Sequence, residues 1–287
     1  MSKIKTRKSP AERRAEIEQL HEVIAEQVAQ LADSDTWANV LRLAKMFRRY
    51  SLNNLLLINA QCPHATRVAG YRTWQRLGRQ VRKGEKHIAI IGRQVKKLEP
   101  DDESGEEKVQ VYWPKRRVFD ISQTDPLPGA VEIPDIAPRL RGDDTAGIYE
   151  ATAEWLTEDG WTIEQTTLSG EDGHTDAKSK IMRIEAALEP AHAALTILHE
   201  AAHGLLPVDM QEYHQHQGLY EAEAESVAYV VAGSLGHDTS ANSIGYIATW
   251  TRGDLALLRE AGARVIDTAH RILTGITVTE NDDADDE

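Results

Sequence analysis

His199-Glu200-Ala201-Ala202-His203 is the stretch on which the reading of this chain turns. Residues four apart on an α-helix share a face, so the two imidazoles can grip one metal ion together. Glu200 then stands beside that ion, where a carboxylate can take a proton from water. The run from Glu189 to Leu198 is Ala-rich and apolar, with Pro190 in its first turn, which predicts a helix. Gly204 and Pro207 predict that this helix stops soon after His203. Residue frequencies alone would produce the five-letter pattern in about 4 of 100 chains of this composition, so its surroundings must carry the reading.

A hydrolytic zinc site usually takes three protein ligands and keeps one position open. Leu219 to Gly233 reads as a second helix, acidic at its start and apolar afterwards. Glu221 and Glu225 are four apart and share a face, while Glu223 points elsewhere. Glu221 is read as the third ligand and Glu225 as the carboxylate that holds a histidine Nδ1–H; the exchanged assignment fits the same spacing. Without the histidine pair, this acidic turn would read as a solvated helix start favoured by the macrodipole. His214 and His216, in the polar stretch Tyr213–Gly218, read as loop residues that could overhang the site, as could Tyr213 or Tyr220. His192 extends the metal-binding face by one helical repeat.

The chain has 287 residues and a net charge of −13, which at first sight argues against a polyanionic partner. The charge is unevenly spread. Residues 1–98 hold 20 Lys+Arg against 8 Asp+Glu, and residues 99–287 hold 13 against 38. A basic module joined to an acidic one is expected when only one half touches a nucleic acid. In the basic half, Arg42, Lys45, Arg48 and Arg49 precede Tyr50, and Arg67 to Lys86 interleaves Tyr71 and Trp74 with Arg76, Arg79, Arg82 and Lys83. Stacking platforms along a cationic groove bind single-stranded nucleic acid, although a charged loop beside core aromatics has the same texture.

Tyr50-Ser-Leu-Asn53-Asn54-Leu-Leu-Leu, then Trp74, Gly78 and Val81-Arg82-Lys83-Gly84-Glu85-Lys86, resembles the N-terminal domain of ArdC-type antirestriction proteins. Val118 to Thr124 resembles the strand and turn that close that domain. The resemblance implies a single-stranded-DNA-binding module followed by a zincin-like metallopeptidase domain. His199-Glu-Ala-Ala-His203 with Glu221 to Ala228 is similar to that second domain, and equally to ImmA/IrrE-type metallopeptidases. It implies a Zn²⁺ held by His199, His203 and Glu221, with Glu200 catalytic. On the N-terminal side, DNA contacts are expected from Arg48, Arg49, Tyr50, Asn53 and Asn54. Further contacts are expected from Tyr71, Trp74, Arg82, Lys83 and Lys86.

The expected fold class is α+β: an ArdC-like module over 1–124, a Pro-rich linker over 125–142, a minimal zincin-like domain over 143–278, and an acidic tail over 279–287. Helices are predicted over 11–32, 36–60, 145–159 and 254–273. Strands are predicted at Lys86–Ile91, Lys108–Trp113, Trp161–Thr166 and Lys180–Ile184, with a solvated hairpin tip at Glu99–Glu107. The single Cys62 excludes an intramolecular disulfide and a cysteine-rich metal cluster, and fits a reducing compartment. The charged N-terminus does not read as a secretory signal, and no apolar run approaches a membrane span, so a soluble cytoplasmic protein without a membrane partner is expected.

The function expected from these readings is a single-stranded-DNA-binding, zinc-dependent metallopeptidase-like antirestriction protein of a plasmid or phage, acting on a protein or peptide substrate. Two other readings fit the same residues. One is a regulatory protease of ImmA/IrrE type that cleaves a repressor. The other is a non-catalytic DNA-coating factor whose metal is structural.

Overall fold

The computed structural model describes residues 9–97, 109–128, 144, 147–206, 210–237, 239 and 247–276, with 97, 109 and 210–216 as backbone alone. In chain order the elements are α1 (Pro10–Gln30), α2 (Ser34–Met46), α3 (Leu52–Gln61), β1 (Val68–Gly70), α4 (Tyr71–Arg76), β2 (Arg79–Val81), β3 (Ile88–Ile91), β4 (Gln94–Lys97), β5 (Val109–Tyr112) and β6 (Lys115–Asp120). A 3-10 turn over Ile121–Gln123 leads to β7 (Thr124–Pro126). Then come α5 (Ile148–Glu158), β8 (Thr162–Thr166), β9 (Gly173–Asp176), β10 (Ile181–Glu185), α6 (Pro190–Leu205), α7 (Met210–Ser234), α8 (Ala248–Thr251) and α9 (Leu255–Ile276). The expected α+β class is borne out. No helix among the described residues is long and apolar enough to cross a membrane.

Two compact units divide the chain: Met1–Ala29 with Asn53–Glu132, and Gln30–Leu52 with Ile133–Glu287. The division differs from a simple cut after residue 124. The helix expected over 36–60 is two helices, α2 and α3, separated at residues 47–51, and α2 belongs with the C-terminal unit. Trp37, Val40, Leu41 and Leu43 of α2 are fully buried, and α2 packs on α7. Tertiary burial has therefore overridden an apolar pattern that runs on through the break. The expected hairpin tip, most of the linker and the acidic tail lie outside the described residues.

In the first unit, β6 is flanked antiparallel by β1 and β3. Strand β3 is an edge, and its open side is covered by two side-chain amides of α3. Asn54 Nδ2 donates to the Ile91 carbonyl and Asn54 Oδ1 accepts from the Ile91 N–H, both at 2.9 Å. Gln61 does the same with Ala89, again at 2.9 Å each way. Spaced two helical turns apart, these amides imitate a neighbouring strand and leave no backbone group of Ala89 or Ile91 for another chain. Asp120 ends β6 and accepts from the backbone N–H groups of Thr66, Arg67 and Ser122. Burial would raise its pKa, but those donors outweigh it and hold the carboxyl below its usual value.

In the second unit, α6, α7 and α9 pack in sequence, with α5 against α6 and α9. Strand β10 pairs parallel with β8 and antiparallel with β9, and α6 lies on β9 and β10. Helix α7 begins at Met210, so the stretch Tyr213–Gly218, expected as a loop, is helical. Helix α6 ends at Leu205, soon after His203 as expected, with Gly204 inside its last turn. A Cβ there would come within 2.5 Å of the Trp161 ring, so the glycine serves the packing of that indole. Pro207 lies outside the described residues.

Glu223 of α7 is fully buried and chelated by Arg264 of α9, with Oε1···Nη2 at 2.5 Å and Oε2···Nε at 3.1 Å. Removing one partner of a buried pair strands the other charge. Arg264→Ala should therefore destabilise the fold by roughly 3 kcal/mol in a urea titration, with Glu223→Met/Arg264→Leu regaining most of the loss.

His270 of α9 is largely buried, and its Nε2 has no hydrogen-bond partner; burial pushes its pKa down to about 4. The unfolded chain binds this proton near pH 6.5. The stability tied to the neutral ring is thus complete above about 6.5 and is lost as pH falls from there toward about 4. His270→Leu should flatten that acid limb in denaturation profiles taken between pH 7 and 5.

Candidate functional site

Helix α6 starts with Pro190 at its first turn and buries Ala193, Ala194, Ile197, Leu198, Ala201 and Ala202. That stripe fixes the helix's rotation and leaves His199 and His203 on the face turned toward α7. Their rings meet edge-on, and their Nε2 atoms lie 3.0 Å apart. Glu221 Oε2 of α7 stands 3.4 Å from each of these nitrogens. Two nitrogens and an oxygen each about 2.0–2.1 Å from a tetrahedral ion would be about 3.3 Å apart. The observed separations match, and the donor set of two imidazoles and one carboxylate suits a borderline divalent cation. Among the described residues, this is the group of His, Cys, Asp or Glu side chains able to hold a metal ion.

The electrostatics follow from this crowding. Hydrogen bonds from His199 and His203 hold the Glu221 carboxyl far below its usual range. Burial depresses the His199 imidazole, but the facing Glu221, Glu200 and Glu225 outweigh it, and its pKa is raised. Such a cluster of carboxylates around two imidazoles attracts a cation.

Glu200 is buried on the β9 side of α6, 7% exposed. Thr175 Oγ1 lies 2.7 Å from its Oε2 and 3.1 Å from its backbone carbonyl. A Cβ at Gly173 would come within 2.6 Å of Glu200 Oε1, so the carboxylate rests directly on the backbone of β9. Glu225 lines the same cavity, and burial pushes its carboxyl up. No hydrogen bond joins it to His199 or His203, so the expected support of a histidine Nδ1–H is absent. Of the two assignments left open by spacing, the geometry brings Glu221 to the histidines.

A cavity of about 1060 Å³ opens over the group, bounded by α6, α7 and β9. Glu171, Asp172, Asp176, Glu200, Glu221 and Glu225 line it, against one lysine, Lys178. Sequence reasoning missed Gly173, Thr175 and Tyr229, all of them on its wall. Gly-His-Thr-Asp has no run of β-branched residues to mark a strand, so β9 exists only through its pairing with β10. Tyr229 falls at the next four-residue step after Glu221 and Glu225, a spacing that could have found it. The Lys45 ammonium lies 3.3 Å from the centre of its ring. His192 is paired with Asp172 at 3.0 Å, and nothing is described of the side chains of Tyr213, His214 and His216. Tyr220 is buried.

The residues expected to contact DNA fare unevenly. Trp74 is fully buried and its indole N–H donates to the Phe119 carbonyl at 2.9 Å, so it cannot stack on a base. Asn54 is engaged with Ile91. Arg48 donates to the Ser234 carbonyl at the end of α7, a helix C-terminus that favours a cation. Tyr50 is half-buried, with its ring edge-on to Phe47 at 5.7 Å, and burial raises its phenol pKa. Asn53 is partly buried and Arg49 exposed. In the turn between β2 and β3, Arg82 is held by Glu85 at 2.9 Å and Asp125 at 3.3 Å, while Lys83 and Lys86 are exposed. Tyr71 is exposed, its hydroxyl accepting from Gln80 at 2.8 Å.

Residues 15–120 match the family model of the N-terminal domain of anti-restriction factor ArdC. This segment is similar to the ArdC N-terminal domain. The ArdC-type recognition made from Tyr50 to Lys86 is thereby borne out. An uncharacterized Bacillus anthracis protein, pXO2-81, is 27% identical over 271 residues, taking in 80% of this chain and 46% of its own length. The chain thus spans less than half the length of that curated relative. Two crystal structures of the antirestriction ArdC protein from plasmid R388 are also similar. The metal-free one is 22% identical, covers 80% of this chain and 85% of its own, and has a TM-score of 0.49. The Mn(II)-bound one is 18% identical, covers 79% and 89%, and has a TM-score of 0.42.

The chain should bind about one divalent ion per molecule when dialysed against Zn²⁺ or Mn²⁺ and assayed by elemental analysis. Glu221→Ala or His203→Ala should abolish stoichiometric uptake, whereas Glu225→Ala should leave it in place.

Proposed function

We propose that this chain is an antirestriction protein that binds single-stranded DNA through its N-terminal unit and hydrolyses a peptide bond in its C-terminal unit. The observation that carries the peptidase half is the meeting of His199, His203 and Glu221 beside a buried Glu200 on the wall of one cavity. When bound there, Zn²⁺ would supply Lewis acidity and lower the pKa of water. Glu200 would accept the proton of the attacking water and hand it to the leaving amine. Thr175 would orient the Glu200 carboxylate by its 2.7 Å hydrogen bond. Strand β9, an edge of its sheet, offers backbone groups to an extended peptide lying along the cavity.

The charge of the cavity favours a peptide over a phosphodiester. Six carboxylates against one lysine repel a polyanion, so the nucleic acid belongs on the other unit and a peptide on this one. Antirestriction is supported by the family of residues 15–120, and single-stranded DNA by the basic N-terminal third. A second reading rests on the family match lying largely within the basic part of the chain: DNA coating alone protects, and the metal group is structural.

Glu200→Gln separates the two. Under the peptidase reading, peptide hydrolysis falls roughly 10²–10⁴-fold, while metal content and oligonucleotide affinity stay at wild-type values. Protection of incoming DNA in cells falls with it. Protection that survives Glu200→Gln undiminished would replace the peptidase reading with the coating one.

A further inference from the structure

The register of the two β-ribbon segments in the N-terminal unit is continuous. Ile88 pairs with Val118 and Ile91 with Lys115, and the same offset resumes at Gln94 with Tyr112 and Lys97 with Val109. The ladder lapses between them because Pro114 has no N–H; only the Gly92 N–H to Pro114 carbonyl bond remains, at 2.9 Å. Arg93 therefore stands opposite Trp113. By strand alternation, Lys115 and Arg117 follow Trp113 on the same face.

Trp113 is 58% exposed, the highest value among the exposed large hydrophobic side chains of the described residues. Tyr112, Val95 and Val111 beside it are also exposed, and β4 and β5 pair only with each other. A single exposed indole needs no explanation, but its neighbours are informative. From 88 to 97 and from 109 to 119 there is no Asp or Glu, while Arg93, Lys96, Lys97, Lys115, Arg116 and Arg117 are all present. Arg93, Lys96, Arg116 and Arg117 are exposed, and the stem of Arg116 lies across the bare Cα of Gly92, where a Cβ would collide with it. Lys115 is joined to Glu16 at 3.4 Å. An indole sharing a face with the exposed cations Arg93 and Arg117 matches a base with its phosphates.

We propose that this ribbon is the principal single-stranded DNA contact of the chain, with Trp113 as the base-stacking platform and Arg93 and Arg117 as its phosphate partners. The assignment rests on the DNA-binding reading above and moves its centre away from the 82–86 turn, where Arg82 is already neutralised by Glu85 and Asp125.

The test is fluorescence anisotropy of the full chain with a labelled oligothymidylate over a range of salt, circular dichroism checking each variant's fold. Trp113→Ala should raise Kd about tenfold or more, and Trp113→Phe, which keeps a stacking face, should restore most of the affinity. Arg93→Gln/Arg117→Gln should flatten log Kd against log salt by roughly 0.7 for each phosphate partner removed, and Lys83→Ala/Lys86→Ala should change both quantities less. Wild-type binding that survives Trp113→Ala unchanged overturns the ribbon assignment and leaves the DNA reading standing. A wild-type chain that does not bind the oligonucleotide at low salt overturns both. Self-association that disappears in Trp113→Ala while DNA affinity stays intact would give the ribbon to a second copy of the chain and also overturn the assignment.

Discussion

Glu221 can come within 3.4 Å of both His199 and His203 only because α6 and α7 lie close together. Each helix supplies small buried side chains, Ala201 and Ala202 on one and Ala222, Ala224 and Ala228 on the other. The arrangement also concentrates negative charge. Three carboxylates bear on one imidazole, which is favourable when a cation shares the space and costly otherwise. The C-terminal unit is braced against that cost elsewhere, by the Glu223–Arg264 pair between α7 and α9 and by indoles set against glycine backbone, as Trp161 is at Gly204.

Strand β9 connects this scaffold to the chemistry. It touches Glu200 twice, through the Thr175 hydroxyl and through the bare Cα of Gly173, and so holds the carboxylate on the cavity side of α6. The strand that holds Glu200 is also one of the two edges of its sheet, β8 being the other. The contacts to Glu200 and one edge of the sheet are thus supplied by the same four residues, Gly173–Asp176.

The N-terminal unit solves a different problem. Its sheet edge at β3 is covered by Asn54 and Gln61, and Trp74 is spent on the core, so several residues with the texture of a nucleic-acid surface are structural. What stays outside is the ribbon of β4 and β5 with its continuation into β6, where Pro114 interrupts the ladder and exposes Trp113 among cations. The ribbon's cations come from both sides of residue 98, Arg93, Lys96 and Lys97 before it and Lys115, Arg116 and Arg117 after it, whereas every carboxylate lining the cavity lies after it.

Several features were legible in the sequence alone. The spacing of His199 and His203 fixes a shared helical face, because four residues make about one turn whatever surrounds them. Charge segregation and the ArdC motifs are properties of order and composition, as are the helices α5, α6 and α9 and the strands β3, β5, β8 and β10. Only the tertiary structure decided which carboxylate meets the histidines, since Glu221 and Glu225 have the same helical phase and differ by one turn of height against α6. It also decided that Trp74 is buried and Trp113 exposed, that residues 36–60 divide between two units, and that Gly173–Asp176 is a strand. Each of these depends on which distant segment packs alongside, and local periodicity carries no information about that.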